Sequence, residues 1–168
     1  MRYFVIAESG KQKGYSLIEM VIYLALAGIL GTGITTFAVQ TITETNRSSA
    51  HMQAIQQLEN AGYWVSRDVQ MAQTVTPGPN AGFPLQVNWT DANNNTFQVT
   101  FSISGGQIQR SQVENGMAPS QTLVAQSINA APTLTSCSYE NGLLTFNVTA
   151  TVGTSSISRI YQIKKRPW

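Results

Sequence analysis

The sequence predicts an α+β chain in which one long N-terminal helix, its first half transmembrane, packs on an antiparallel β-sheet. Three observations carry that expectation. Between Met20 and Thr43 no residue is charged and most are apolar. No proline occurs from Tyr15 to Thr76. After Pro77 the apolar residues change from helical spacing to alternation.

Composition narrows the class further. The chain has 168 residues, 42% of them hydrophobic and 11% charged, against roughly 25% charged in an ordinary soluble domain. Its polar surface is therefore mainly hydroxyl and amide, a balance common in proteins that work outside the cytoplasm. One His and one Cys exclude a Cys/His metal site with several ligands and any internal disulfide. Cys137 reads as a buried thiol. The net charge is +2, and Arg2, Lys11 and Lys13 against Glu8 place all of it before Tyr15. From Tyr15 to Trp168 seven basic residues balance seven acidic ones. Charge therefore gives no reason to expect nucleic acid as a partner.

The apolar segment comes first along the chain. About 20 helical residues, rising ~1.5 Å each, cross a bilayer core of roughly 30 Å, so Met20–Thr43 is long enough to span. A buried soluble helix of this length would need more partners than the remaining chain offers. Lys11 and Lys13 before it and Glu44 after it place its start in the cytoplasm and the remainder outside. A secretory signal is the rival reading, with Thr36-Phe37-Ala38 as a weak cleavage site. The apolar run, however, exceeds the about 7–15 residues such signals use. Glu19 at its head is either a carboxylate that snorkels to the interface or one that acquires a partner, because alone in lipid it is costly.

The residues just ahead sharpen that choice. Lys11-Gln12-Lys13-Gly14-Tyr15-Ser16-Leu17-Ile18-Glu19 resembles the cleavage and methylation motif of type IV prepilins and pseudopilins. In that family a basic leader ends in Gly, an aromatic residue begins the mature chain, and Glu stands fifth. The resemblance implies a leader of residues 1–14, cut by a prepilin peptidase between Gly14 and Tyr15, N-methylation of Tyr15, and an assembly role for Glu19. Cleavage frees an amine at Tyr15, and Glu19, four residues on, is expected on the same helix face one turn away. In a bundle of low dielectric an ammonium–carboxylate pair offsets the cost of burying either charge alone. If the amine of one subunit meets Glu19 of its neighbour, the pair also fixes register.

On this reading residues 15–45 form the transmembrane and assembly helix, and 46–168 an extracytoplasmic pilin-like domain. Gly28, Gly31 and Gly33 permit close helix packing in the membrane. They equally permit local melting on assembly, since each Gly costs about 1 kcal/mol against Ala. The lack of a Pro before Pro77 favours a pseudopilin or minor subunit over a major pilin.

Past the membrane the helical pattern continues. Ile55, Leu58, Gly62, Val65, Val69 and Ala72 recur every three or four residues, a narrow stripe that predicts packing on the domain. The spacing predicts one helix over about 15 to 74, with Pro77-Gly78-Pro79-Asn80 as its stop. Tyr63 and Trp64, flanking Gly62, read as domain core. The Arg67-Asp68-Val69-Gln70-Met71-Ala72 end, followed by Gln-rich strands, is similar to J-type minor pseudopilins of type II secretion.

The strands follow. Phe97, Val99, Phe101 and Ile103 alternate with polar residues, and Gly105-Gly106 predicts a two-residue hairpin turn into Gln107–Val113. Leu144 to Val152 repeats the alternation and turns at Gly153–Ser155 into Ile157–Ile163. Leu85–Thr90 and Thr122–Ile128 are shorter candidates. One sheet of about four to six strands is expected to cover the helix.

Chemistry-bearing groups are sparse. Asp91-Ala92-Asn93-Asn94-Asn95 begins like a calcium loop, yet Thr96 and Ser102 stand where the Gly and Glu of an EF-hand belong. The segment reads as an Asn-rich turn. His51 has no second ligand or acid beside it, and no Ser has an elbow motif or a base to activate it. Lys164-Lys165-Arg166 reads as a solvated strand end, with lipid headgroups, a neighbouring subunit or DNA as functional alternatives.

The sequence thus points to a minor pilin or pseudopilin, a non-enzymatic structural subunit of a secretion pseudopilus, type IV pilus or competence pilus. No cofactor, metal or catalytic residue is expected. Expected partners are other pilin subunits, a prepilin peptidase, an inner-membrane assembly platform and membrane lipid. Expected localisation is the cytoplasmic membrane, single-pass, with the C-terminal domain outside, and then the filament. The alternative is a signal-anchored binding or adhesin domain whose Glu19 is incidental. A membrane-tethered enzyme is disfavoured by the missing constellation.

Overall fold

Fifty-five residues without proline, Leu17–Met71, form a single α-helix, α1. The computed structural model describes residues 14–167. Arg2, Lys11 and Lys13, in the expected leader, and Trp168 lie outside the described residues. Contacts divide the chain into two compact units, residues 1–44 and 45–168.

In the first unit α1 carries the apolar segment, and every described residue is solvent-exposed. An 18-residue window reaches a mean hydropathy of 2.0 with none of it buried, enough by length and composition to cross a membrane. The helix runs unbroken through Gly28, Gly31 and Gly33. Its threonines bond back along it. Thr32 Oγ1 donates to the Ile29 carbonyl at 2.8 Å, and Thr36, Thr41 and Thr43 donate to the carbonyls four residues earlier at 2.9 Å. These bonds satisfy hydroxyls that an apolar surrounding would otherwise leave unpaired.

In the second unit the remainder of α1 packs on antiparallel strands, the α+β, pilin-like layout expected. Its buried side is broader than the predicted stripe. Ala54, Leu58, Ala61, Gly62, Val65, Asp68 and Val69 are buried, whereas Ile55 is only partly so. Tyr63, expected in the core, is 63% exposed. It stands on the flank opposite Ala61 and Val65, and Trp64 alone of the two leans on the core.

The helix ends three residues earlier than the spacing predicts. The Ala72 amide bonds the Val69 carbonyl at 3.1 Å, and the Gln73 amide donates to the Asn88 carbonyl at 2.8 Å, so the chain has already joined a sheet. Thr74–Gly78 is strand β1. Pro77 therefore does not stop the helix. It lies in an edge strand, where its missing donor is harmless, beside an irregularity between Thr76 and Gly78.

The strands make two antiparallel sheets where one was expected. β1, β2 (Gly82–Thr90), β3 (Thr96–Ser104), β4 (Gln107–Glu114) and β5 (Ser120–Ala125) form a five-stranded meander. β6 (Ser136–Glu140), β7 (Leu143–Val152) and β8 (Ser155–Lys164) form a second, three-stranded one. The Gly105-Gly106 turn is as predicted. Both residues have positive φ, 56° and 73°, and Ser104 pairs with Gln107 across them.

The two sheets meet where the Cys137 amide donates to the Ala81 carbonyl at 2.8 Å and the Cys137 thiol to the Gly82 carbonyl at 2.9 Å. A Cβ on Gly82 would collide with the Cys137 backbone, so only glycine permits this approach. Leu58, Val65, Leu85, Val87, Val99, Phe101, Ile108, Leu144, Phe146 and Val148 are wholly buried between helix and strands. Tyr161 of β8 fills the notch at Gly62, donates its hydroxyl to the Leu58 carbonyl at 2.9 Å and stacks on Phe146.

Candidate functional site at the head of the helix

Three sequence-predicted residues sit together at the start of α1. Gly14 and Tyr15 precede the helix and are exposed, Tyr15 to 76%. Ser16 offers the first carbonyl of the helical ladder, accepting from the Met20 amide at 3.2 Å. Glu19 falls in the first turn. The helix thus begins at Leu17, two residues after Tyr15.

The start has a local logic. Ser16-Leu17-Ile18-Glu19 has the form of a capping box, with Ser at the cap and Glu three residues later. Neither reciprocal side-chain bond is made among the described residues. The Glu19 carboxylate is exposed there without a hydrogen bond or ion pair, near the positive end of the helix dipole. Gly14 and Tyr15 are both exposed and outside any helix or strand. A Cβ at Gly14 would meet nothing within 4 Å, so the chain itself imposes no need for glycine here. Gly28, Gly31 and Gly33 are equally free of close neighbours.

The prokaryotic N-terminal methylation motif matches residues 9–35. The chain carries the type IV prepilin-like signature. The matched stretch includes Gly14, Tyr15, Glu19 and the glycines of the helix, and it supports a type IV pilin-like protein, a structural and not an enzymatic family. With the apolar helix it points to a membrane-anchored chain. No curated protein and no solved structure matches the chain.

The other sequence candidates belong to the second unit. Asp91 is engaged by its own turn. Its Oδ1 accepts the amides of Asn93 and Asn95, each at 2.8 Å, and its Oδ2 accepts the Asn95 side-chain amide at 3.0 Å. The Asn95 bonds, backbone first, hold the Asp91 carboxyl below its ordinary range. Among the described residues no three His, Cys, Asp or Glu side chains gather where a metal could bind. His51 is exposed, its Nδ1 3.4 Å from Ser155 Oγ. Lys165 Nζ donates to the Gln73 carbonyl at 2.9 Å beside the exposed Lys164. The Cys137 thiol is buried, as expected, and burial pushes its pKa up to about 12.

One cluster had no signal in the sequence. Asp68 and Arg110 are buried together, Arg67 shares the Asp68 carboxylate, and both guanidinium groups lie over the Trp64 ring, at 4.1 Å for Arg67 and 5.1 Å for Arg110.

Proposed function

We propose that the chain is a minor pilin or pseudopilin, a subunit of a type IV pilus-like filament assembled through α1. The observation that carries this is the methylation motif at the head of α1, whose apolar residues up to Thr43 are all exposed. Ile18, Val21, Ile22, Leu26, Ile29 and Phe37 are each more than half exposed, so their burial must come from outside the chain. Lipid covers them first, and neighbouring helices replace lipid on assembly. The unfilled space at Gly28, Gly31 and Gly33 suits close approach of those helices.

In this reading a prepilin peptidase cuts at Gly14–Tyr15 and methylates Tyr15. The freed ammonium of one subunit then meets Glu19 of the next. Before assembly the chain crosses the cytoplasmic membrane once, with residues 46–168 outside, and an assembly platform draws it into the filament. The role is mechanical, without turnover. Secretion pseudopilus, type IV pilus and competence pilus all use this plan, and the end of α1 favours a J-type position in the first.

The test is the N-terminal mass of the chain recovered from membranes containing an active prepilin peptidase. A chain beginning at methylated Tyr15 supports the reading. A chain retaining residues 1–14 overturns it in favour of a signal-anchored binding domain.

A further inference from the structure

Two turns of the second unit repeat one pattern, Glu114-Asn115-Gly116-Met117 and Glu140-Asn141-Gly142-Leu143. Asn and Gly have positive φ in both, 49° and 73° in the first turn and 51° and 81° in the second. Both asparagines are exposed, so exposure does not tell them apart. No atom lies within 4 Å of the place a Cβ would take at Gly116 or Gly142.

The two carboxamides differ. That of Asn115 is clamped. Its Oδ1 accepts the Thr96 amide at 2.8 Å and the Thr96 hydroxyl at 3.4 Å, and its Nδ2 donates to Asn95 Oδ1 at 3.0 Å. The Asn141 carboxamide makes no hydrogen bond among the described residues. Asn141 lines a hollow of about 460 Å³ together with Ser138, Glu140, Leu143, Thr145 and Lys164. Register puts the strand residues on one face, with Ser138 opposite Thr145, and Glu140, Leu143 and Lys164 in one row.

An asparagine followed by glycine can react within its own backbone. The glycine amide nitrogen gives its proton to a base and attacks Cγ, forming an N–Cγ bond. The Cγ–Nδ2 bond then breaks and the nitrogen leaves as ammonia. Water opens the resulting cyclic imide at either carbonyl and returns a proton to the ring nitrogen. The products are aspartate or isoaspartate, with nothing oxidised or reduced. The carboxamide must turn to meet the nitrogen, which is open at Asn141 and costs Asn115 three hydrogen bonds, each worth roughly a factor of 5. The Lys164 ammonium in the hollow also favours the negative charge that develops on nitrogen and oxygen. Glu140 opposes it, but Glu114 adjoins Asn115 in the same way, and the cleft lined by Gly116 has no charged residue.

We propose that Asn141 is a site of spontaneous deamidation, with water as the only co-reactant, and that the matching Asn115 is protected by its clamp. Conversion sets a second carboxylate beside Glu140, so the hollow passes from balanced to net negative. Isoaspartate also lengthens the backbone within the turn that pairs Glu140 with Leu143.

The experiment incubates the full chain in detergent, in mildly alkaline ¹⁸O water, with and without urea. Digestion after glutamate at acid pH puts Asn115 and Asn141 in different peptides, residues 115–140 and 141–168. Fragment masses then locate the heavy oxygen, which marks conversion during the incubation. In the folded chain Asn141 is expected to convert at least about tenfold faster than Asn115, and in urea the two should convert alike. Asn95→Ala, which removes one arm of the clamp, should speed Asn115 and leave Asn141 unchanged. Lys164→Gln, at an exposed position, should slow Asn141 alone. The proposal is overturned if the folded rates are equal, if urea preserves the difference, or if Asn95→Ala leaves Asn115 as slow as before.

Discussion

Asp68 and Arg110, 42 residues apart, meet inside the domain with 2.6 Å between Oδ2 and Nε. Arg67 holds the other carboxylate oxygen through Nε and Nη2 at 3.1 and 3.0 Å. One buried carboxylate therefore serves two guanidinium groups, of which Arg110 is buried and the Arg67 side chain 37% exposed. Asp68→Ala strands a buried cation and is expected to cost about 3–5 kcal/mol, a large share of the roughly 5–15 kcal/mol a domain possesses. Arg67→Ala should cost under about 1 kcal/mol. Urea unfolding of both variants checks the ranking, and equal losses would refute it.

Gly62→Ala sets two effects against each other. Alanine improves helix propensity by about 1 kcal/mol. Its Cβ, however, would overlap the Tyr161 ring, which is fixed by its stacking on Phe146 and its bond to the Leu58 carbonyl. Overpacking typically costs about 1–3 kcal/mol. We expect net destabilisation, with the sign reversed in a Tyr161→Ala background, where propensity alone remains. Thermal unfolding of the four chains decides between them.

Cys137 gives a pH dependence with a defined sign. Burial raises its pKa from 9.0 to about 12, so between those values the unfolded chain has released a proton that the folded chain retains. Its contribution is complete below pH 9 and falls as pH rises, by about 1.4 kcal/mol per unit. Cys137→Ala should flatten the alkaline limb of the stability profile. The native thiol should also resist a disulfide reagent at pH 8 until urea exposes it, and immediate labelling would contradict its burial.

Asp91 behaves oppositely. Its carboxyl is held low by Asn95 and Asn93, so the loop gains from the charged form above the ordinary pKa of 3.8 and loses that gain as pH falls below it. Asn95→Ala removes the Oδ2 partner and should move the Asp91 titration upward in a carboxyl NMR series. Because the loop's own amides occupy both oxygens, millimolar calcium should leave the melting temperature unchanged. A rise with calcium would show that the ion outcompetes them.

Glu19→Ala separates processing from assembly. The variant should still be cut after Gly14, since the exposed Gly14-Tyr15 link does not depend on the carboxylate. Its incorporation into filaments should fall sharply, and Glu19→Asp should restore little because the shorter side chain ends about 1.5 Å sooner. Quantitative blotting of sheared filaments against membranes measures this, and wild-type incorporation of Glu19→Ala would remove the pairing role.

What the sequence disclosed was local. The head of the helix is legible because Gly14, Tyr15, Glu19 and the apolar run are contiguous. β3, β4, β7 and β8 are legible because Phe97–Ile103 and Leu144–Val152 alternate and end in tight turns. β1 was hidden by Pro77, which reads as a stop although an edge strand accepts it. β6 was hidden because Ser136–Glu140 carries too few apolar residues to alternate. Nothing along the chain marks where one sheet ends and the next begins. Asp68 carried no sign of burial, because a charge on a helix is ordinarily exposed, and only Arg110, far along the sequence, makes its burial tolerable. Ala54 and Ala61 were missed because small residues weigh little in a hydrophobic pattern, although they let the helix lie close to the strands.

The earliest residue of α1 to enter the domain core is Ala54. Folding of the domain is thus indifferent to most substitutions upstream of that point. Mutations there are filtered by whatever surrounds the helix outside the chain, and mutations beyond it by the domain's own stability. One unbroken helix is therefore subject to two independent selections, so its two ends can diverge among relatives at unrelated rates.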